Sequence, residues 1–176
     1  MMETGEKVNL ELVKASEGQF GVASKFTFTF SSVVWAEDTV PPKSLYMVVR
    51  FFNQRAFRSE NLGWVEGEGG YCQLMRLEHY RRGQGIIDPS YSFTIDPSEH
   101  HQPTQLQQDL TQYLLRNRAI VDFFSAETHL YIGQANIELN DLLRGTKAQT
   151  LIAREVTLLK IRDKEALGVL QILVKN

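Results

Sequence analysis

The sequence predicts an all-β sandwich interrupted by one helix. Three observations carry this. Phe26, Phe28 and Phe30 recur at the period of a strand with one buried face. The segments 44–52 and 118–124 are apolar on both faces, as strands inside a packed sandwich are. Helical spacing is convincing only over 104–116, where Leu106, Leu110, Tyr113 and Leu114 share one side.

Taken in order, Val8, Leu10 and Leu12 alternate with polar residues and suggest a strand with one wet face, followed by a turn at 17–19. Residues 25–35 form the clearest strand, because three phenylalanines at period two bury a large apolar area. Pro41 and Pro42 exclude a central strand and mark the crossing to 44–52. Residues 53–70 read as a polar stretch with one short edge strand or none, closed by Gly67, Gly69 and Gly70. Strands follow at 71–77 and 91–95, separated by a charged segment with Gly83 and Gly85, and Pro97 ends the second. In the helix, Thr104 and Gln107 have the spacing of a capping box.

Residues 118–145 organise the rest. Ala119, Val121 and Phe123 alternate with Ile120, Asp122 and Phe124, so Asp122 is the one polar intrusion. After a polar break at 125–128, Leu130, Ile132 and Ile137 resume an extended pattern. Gly133 interrupts it where a bulge or the close approach of another backbone is expected. Asn140 is placed to cap a turn at 141–144, and Gly145 to end it. Strands at 149–160, with Leu151, Val156 and Leu158, and at 167–174 close the domain as a hairpin around the polar loop 162–165.

The pattern Ile132-Gly133, a strand, then Leu142-Leu143 resembles the signature of C2 domains, eight-stranded antiparallel β-sandwiches. Tyr113-Leu114, the strand 120–124 and Leu142-Leu143-Arg144-Gly145 further resemble the C2-like domain of the fourth nephrocystin family. The resemblance extends upstream through 26–30 and 91–97. It implies a non-enzymatic scaffold of the ciliary transition zone or basal body, cytoplasmic at the base of the cilium, whose partners are other proteins of that site.

A length of 176 residues suits one domain, with an ordered core over about 7–176. A net charge of −2 offers no global attraction to nucleic acid or to an anionic membrane, so no nucleic-acid partner is expected. Cys72 is the single cysteine, which excludes an internal disulfide and fits a reducing, cytoplasmic compartment. Residues 1–7 lack an apolar signal region, and no stretch has the roughly 18 apolar residues of a membrane span.

The C2 resemblance raises calcium, which wants roughly six to eight hard oxygen ligands. It aligns Ser125 and Glu127 with the two loop aspartates of calcium-binding members, and it places the first top loop near 15–24, where Glu17 is the acid on offer. Too few carboxylates converge, so calcium-independent behaviour without metal or cofactor is expected. His79, His100, His101 and His129 lack zinc-site spacing and read as surface residues. No nucleophile elbow, P-loop or dinucleotide fingerprint occurs, and Cys72 within a strand reads as a small core residue, so no enzyme is expected. Arg50, Arg55 and Arg58 cluster at one strand end, and Arg76, Arg81 and Arg82 at another. If those ends adjoin, they form a cationic patch for anionic lipid or phosphoinositide; otherwise they are solvated arginines whose stems cover apolar neighbours. The reading is thus a calcium-independent protein-interaction module, with peripheral membrane binding as its alternative. Trp35 and Trp64 are interface candidates that fit the core equally well.

Overall fold

The computed structural model of the chain describes residues 23–85, 87–143 and 150–176. The expected strand at 8–12, the segment 15–22 with Glu17, and the turn end at Arg144 and Gly145 lie outside the described residues.

The strands are β1 (Ser24–Trp35), β2 (Leu45–Arg50), β3 (Phe57–Arg58), β4 (Leu62–Glu66), β5 (Tyr71–Arg76), β6 (Ser90–Ile95), β7 (Arg118–Ser125), β8 (Tyr131–Glu138), β9 (Leu151–Leu159) and β10 (Ala166–Lys175). A short helix α1 (Leu77–Arg81) follows β5, and the main helix α2 (Pro103–Arg116) precedes β7.

These strands form one 10-stranded antiparallel sheet that closes on itself. The closed path runs β1, β10, β9, β8, β7, β2, β4, β5 and back to β1, while β6 and β3 pair outside it. Two seams of the ring are thin, being single pairings at Leu45 with Leu62 and Gln134 with Leu159. The result is a closed barrel-like sheet, which corrects the expected sandwich in its closure while the ring itself keeps the expected eight strands. The reason is the length of β1. Its 12 residues bend at a register shift between Phe30 and Ser32, so its first half pairs with β6, its second half with β5, and both halves with β10. Closure also removes most open sheet edges.

Phe26, Phe28 and Phe30 point inward and are 0–1% exposed. Each such burial stabilises the fold by roughly 1.5–3 kcal/mol. Phe28 meets the edge of Phe51 at 5.5 Å and of Phe93 at 5.8 Å, the favoured ring geometry. Helix α2 belongs to this core. Leu106, Leu110 and Leu114 are buried against it, and Tyr113 packs on Phe51 and Phe52. Its start differs from the expected capping box, because Pro103 begins the helix and leaves Gln102 as the cap with no side-chain bond. A proline preset to helical φ moves the first turn one residue upstream, so Thr104 is inside it.

Other departures have local causes. Residues 53–70 contain two strands, not one or none; β4 pairs with β5 over Leu62–Glu66, a register hidden by its polar and glycine content. The charged segment after β5 opens with α1, whose residues are half-buried or exposed, so no apolar stripe marked it. In β9 the inward position belongs to Ile152, whereas Leu151 faces solvent. Residues 140–143 form a 3-10 turn that includes Asn140, with Leu142 buried and Leu143 packed on the core.

Gly133 meets both expectations at once. The β7–β8 register shifts between Phe123 and Phe124, so Ile132 is the extra residue of a bulge. A Cβ on Gly133 would lie 2.8 Å from the Leu159 carbonyl oxygen, where the β9 backbone crosses.

Candidate interaction surface

Strand alternation sends Met47, Val49, Val121 and Phe123 into the core and Tyr46, Val48, Arg50, Ile120, Asp122 and Phe124 to the outer face of β2 and β7. Cross-strand pairing sets Tyr46 opposite Phe124 and Val48 opposite Asp122. The Tyr46 and Phe124 rings stack at 5.1 Å, and Tyr131 of β8 meets Phe124 edge-on at 5.3 Å. On the other side the Arg58 guanidinium lies 4.1 Å over the Tyr46 ring.

Asp122 is buried beside this ladder and is fully engaged. It accepts from Arg50 Nη2 at 2.6 Å, from Gln134 Nε2 at 3.0 Å and from the Tyr131 hydroxyl at 3.4 Å. Burial and the Asp122 carboxylate push the Tyr131 phenol up to about 12, which keeps it protonated as a donor.

The arginines marked in the sequence do not converge on one patch. Leu45 at the start of β2 pairs with Leu62, and Leu62 with Arg76, whereas Arg50 ends β2. Arg50 is therefore about 17 Å along β2 from the Arg76 end at roughly 3.4 Å per residue, with Arg58, opposite Val48, between them. Most of these arginines are also engaged. Arg76 pairs with Glu60 at 3.0 Å, donates to the Ser90 carbonyl and overlies Tyr91. Tyr91 donates to the same Glu60, and burial together with that carboxylate raises its phenol pKa. Arg82 pairs with Glu78 on α1, while Arg55 and Arg81 are exposed.

A groove that the sequence did not signal runs between the C-terminal end of α2 and the outer face of β2, β7 and β8. Phe52, Tyr113 and Ile120 form its floor, and Arg50, Arg116 and Arg118 its rim, with Asn117 and Asn136 alongside. Phe52 has φ 48°, a left-handed conformation that bulky residues rarely adopt, and its ring meets Tyr113 at 5.4 Å. The Tyr113 hydroxyl donates to the Arg118 carbonyl, tying the helix end to β7. Arg118 pairs with Glu138 at 2.8 Å. Arg118 begins β7, whose pairing sets Ile120 opposite Arg50, and Arg116 ends α2 two residues earlier, so strand register and the docking of α2 together set both beside Arg50.

At one end of the barrel the loop 36–44 adjoins the loop 126–130, since the Ala126 amide donates to the Ser44 carbonyl. Ser24 pairs with Ile95 at the start of β1, and Trp35, its last residue, lies at the end bearing these loops. The loop 36–44, with Glu37 and Asp38, therefore shares this end with 126–130, whereas the expected first top loop near 15–24 lies almost wholly outside the described residues. Ser125 Oγ accepts the Thr128 amide within the turn, and Glu127 is exposed. Among the described residues no three His, Cys, Asp or Glu side chains are grouped to hold a metal ion. Val40, Leu130 and, on the adjoining β9–β10 turn, Ile161 are exposed at the same end. Cys72 is buried, and burial followed by Glu66 raises its thiol pKa. Both tryptophans pack partly against the core, with Trp64 Nε1 donating to the Pro42 carbonyl at 2.7 Å.

No family model matches the sequence, and no curated protein matches it. Solved structures do match in shape. A C2 domain-containing protein from a putative elicitor-responsive gene aligns over 88% of this chain and 88% of its own, with a TM-score of 0.51 and 13% identity. CC2D1B, described as coordinating ESCRT-III activity during the mitotic reformation of the nuclear envelope, aligns over 96% of this chain and 69% of its own, with a TM-score of 0.51 and 16% identity. The fold is C2-like.

Proposed function

We propose that this C2-like chain is a non-enzymatic module that binds protein partners without calcium, as part of a scaffold at the ciliary transition zone or basal body. The observation that carries the protein-binding reading is the groove beside α2, an aromatic floor rimmed by guanidinium groups. Such a surface suits recognition of a side chain together with its charged neighbours. Calcium independence is favoured by the loop 126–130 carrying one carboxylate, Glu127, beside Glu37 and Asp38 of the adjoining loop, few for an ion that wants roughly six to eight oxygens. A non-enzymatic role agrees with a Cys72 thiol that is buried and held protonated. The ciliary setting rests on the sequence resemblance to the fourth nephrocystin family. The test is capture of partners from ciliated cells on the immobilised chain, in calcium and in chelator. Recovery of transition-zone proteins equally in both is expected, and recovery only in calcium would overturn the reading.

A second reading, peripheral binding to anionic membrane, has one feature in its favour. Val40, Leu130 and Ile161 expose aliphatic side chains at one end of the barrel, with Arg81 and Arg82 exposed elsewhere. No described helix is long and apolar enough to cross a membrane. Sedimentation with phosphatidylserine and phosphoinositide vesicles, against neutral vesicles, tests it. Binding that falls in Arg81→Ala/Arg82→Ala and in high salt would promote this reading.

A further inference from the structure

The groove beside α2 has a chemistry that narrows the class of partner. Its rim is cationic, and its charges are unequally engaged. Arg116, exposed at the end of α2, has no ion pair among the described residues. Arg118 is paired with Glu138, but both side chains are more than half exposed, so a stronger anion can replace that contact at little cost. Arg50 is committed to Asp122 at 2.6 Å, yet its side chain is still 49% exposed. A planar guanidinium bears five donors, and Asp122 engages Arg50 through Nη2, which leaves others uncommitted on a residue that lines the groove. The Asn117 and Asn136 side chains lie at the same rim.

The floor is of the opposite character. Phe52, Tyr113 and Ile120 present carbon to the groove, and the only hydroxyl among them is committed to the Arg118 carbonyl. The left-handed backbone at Phe52 turns the chain straight after β2 and sets its ring against Tyr113 instead of continuing the strand alternation. A polar group aimed at this floor would find no partner there, which is unfavourable. An aromatic or aliphatic side chain fits it, provided that carboxylates flank that side chain at the spacing of a peptide.

We infer that the groove between the end of α2 and the outer face of β2, β7 and β8 docks an acidic peptide segment of a partner protein, with one aromatic or large aliphatic anchor on Phe52, Tyr113 and Ile120 and carboxylates on Arg116 and Arg118. This rests on the protein-module reading and names the site and the class of segment.

The test is a titration of the isotope-labelled full chain with a synthetic peptide of one Phe flanked on each side by two Glu, followed by amide NMR. Perturbations are expected to concentrate at residues 50–52, 113–120 and 136–138. Affinity should fall about tenfold or more in Arg116→Glu, a substitution at an exposed side chain that leaves thermal unfolding unchanged. A peptide with Gly in place of Phe should lose most of the binding. No perturbation at millimolar peptide would overturn the inference, as would equal binding of the Phe and Gly peptides. Binding of phosphatidylserine vesicles at these residues, with the peptide inert, would overturn it in favour of a lipid headgroup. If a partner captured from cells binds Arg116→Glu as tightly as the unaltered chain, this site is wrong while the protein-module reading survives.

Discussion

Arg50 on β2 and Asp122 on β7 join across the outer face of the barrel, Nη2 to Oδ2, at 2.6 Å. The pair is asymmetric, since the Asp122 side chain is 10% exposed and that of Arg50 is 49% exposed. The carboxylate bears the desolvation, and the guanidinium is what makes it tolerable.

Replacing Arg50 by Ala should therefore destabilise the domain by more than a surface ion pair is worth. Asp122 would keep Gln134 and Tyr131 as donors but lose its charged partner. The expected cost is roughly 1.5–3 kcal/mol, against about 0.2–1 kcal/mol for exposed pairs. Urea unfolding measures it, and Arg118→Ala, which opens the exposed pair with Glu138, is the internal comparison. Equal losses in the two variants would mean that Asp122 is solvated after all.

Gly133 and Gly69 separate two reasons for glycine. At Gly133 an added Cβ would lie 2.8 Å from the Leu159 carbonyl oxygen and 2.9 Å from Leu167 Cδ1. Backbone cannot retreat as a flexible side chain can, so Gly133→Ala is expected to cost roughly 2–3 kcal/mol through displacement of β9. At Gly69 nothing lies within 4 Å, but φ is +74°, so Gly69→Ala should cost about 1 kcal/mol through backbone strain alone. Denaturant midpoints rank the two, and the reverse order would mean that the β8–β9 seam yields.

The same contrast explains what the sequence could disclose. Phe26, Phe28 and Phe30, the two strands apolar on both faces, and Leu106, Leu110 and Leu114 each carry a period, and period reports which side is buried. Gly133 was legible because a glycine inside an apolar strand has few other uses. Closure of the ring was not, since it depends on the single pairings of Leu45 with Leu62 and Gln134 with Leu159. Strand β4 was obscured because Gly63 and Glu66 break its alternation. The groove was invisible for a related reason. Arg50 and Arg116 are far apart in the chain, and they meet only through the β2–β7 register, which sets Arg50 opposite Ile120, and the packing of Tyr113 on Phe52. The arginine clusters were visible as charge, but their neutralisation by Glu60, Glu78 and Asp122 is a property of the folded chain.

The Tyr131 phenol predicts an alkaline limit. Its folded pKa is raised to about 12, first by burial and then by Asp122, above the unfolded value of about 10. The neutral form is the one the fold favours, so its contribution is full below about pH 10 and is lost as pH rises toward 12. Tyr91, raised by burial and Glu60, acts in the same direction. Stability should fall between pH 10 and 12 in the unaltered chain and fall less steeply in Tyr131→Phe. Thermal melts across that window, with phenolate absorbance read in parallel, check the assignment. Indistinguishable slopes would show that Tyr131 titrates as an exposed phenol.

Helix α2 offers a test of whether it is part of the domain or an appendage. Leu110 is 3% exposed and lies between Leu106 and Leu114 on the stripe that faces the core. Tyr113 meets Phe51 edge-on at 5.6 Å, and Phe51 in turn contacts Phe26, Phe28 and Phe93. The helix therefore contributes to the aromatic cluster around which the strands close. Leu110→Ala should leave a cavity there and cost roughly 2–5 kcal/mol, with far-ultraviolet dichroism and tryptophan fluorescence moving in one transition. If α2 were a detachable docking element, its helical signal would be lost first and the fluorescence midpoint would not move. A single lowered midpoint in both signals is expected, because Trp64 and Trp35 rest on the same core as Leu110.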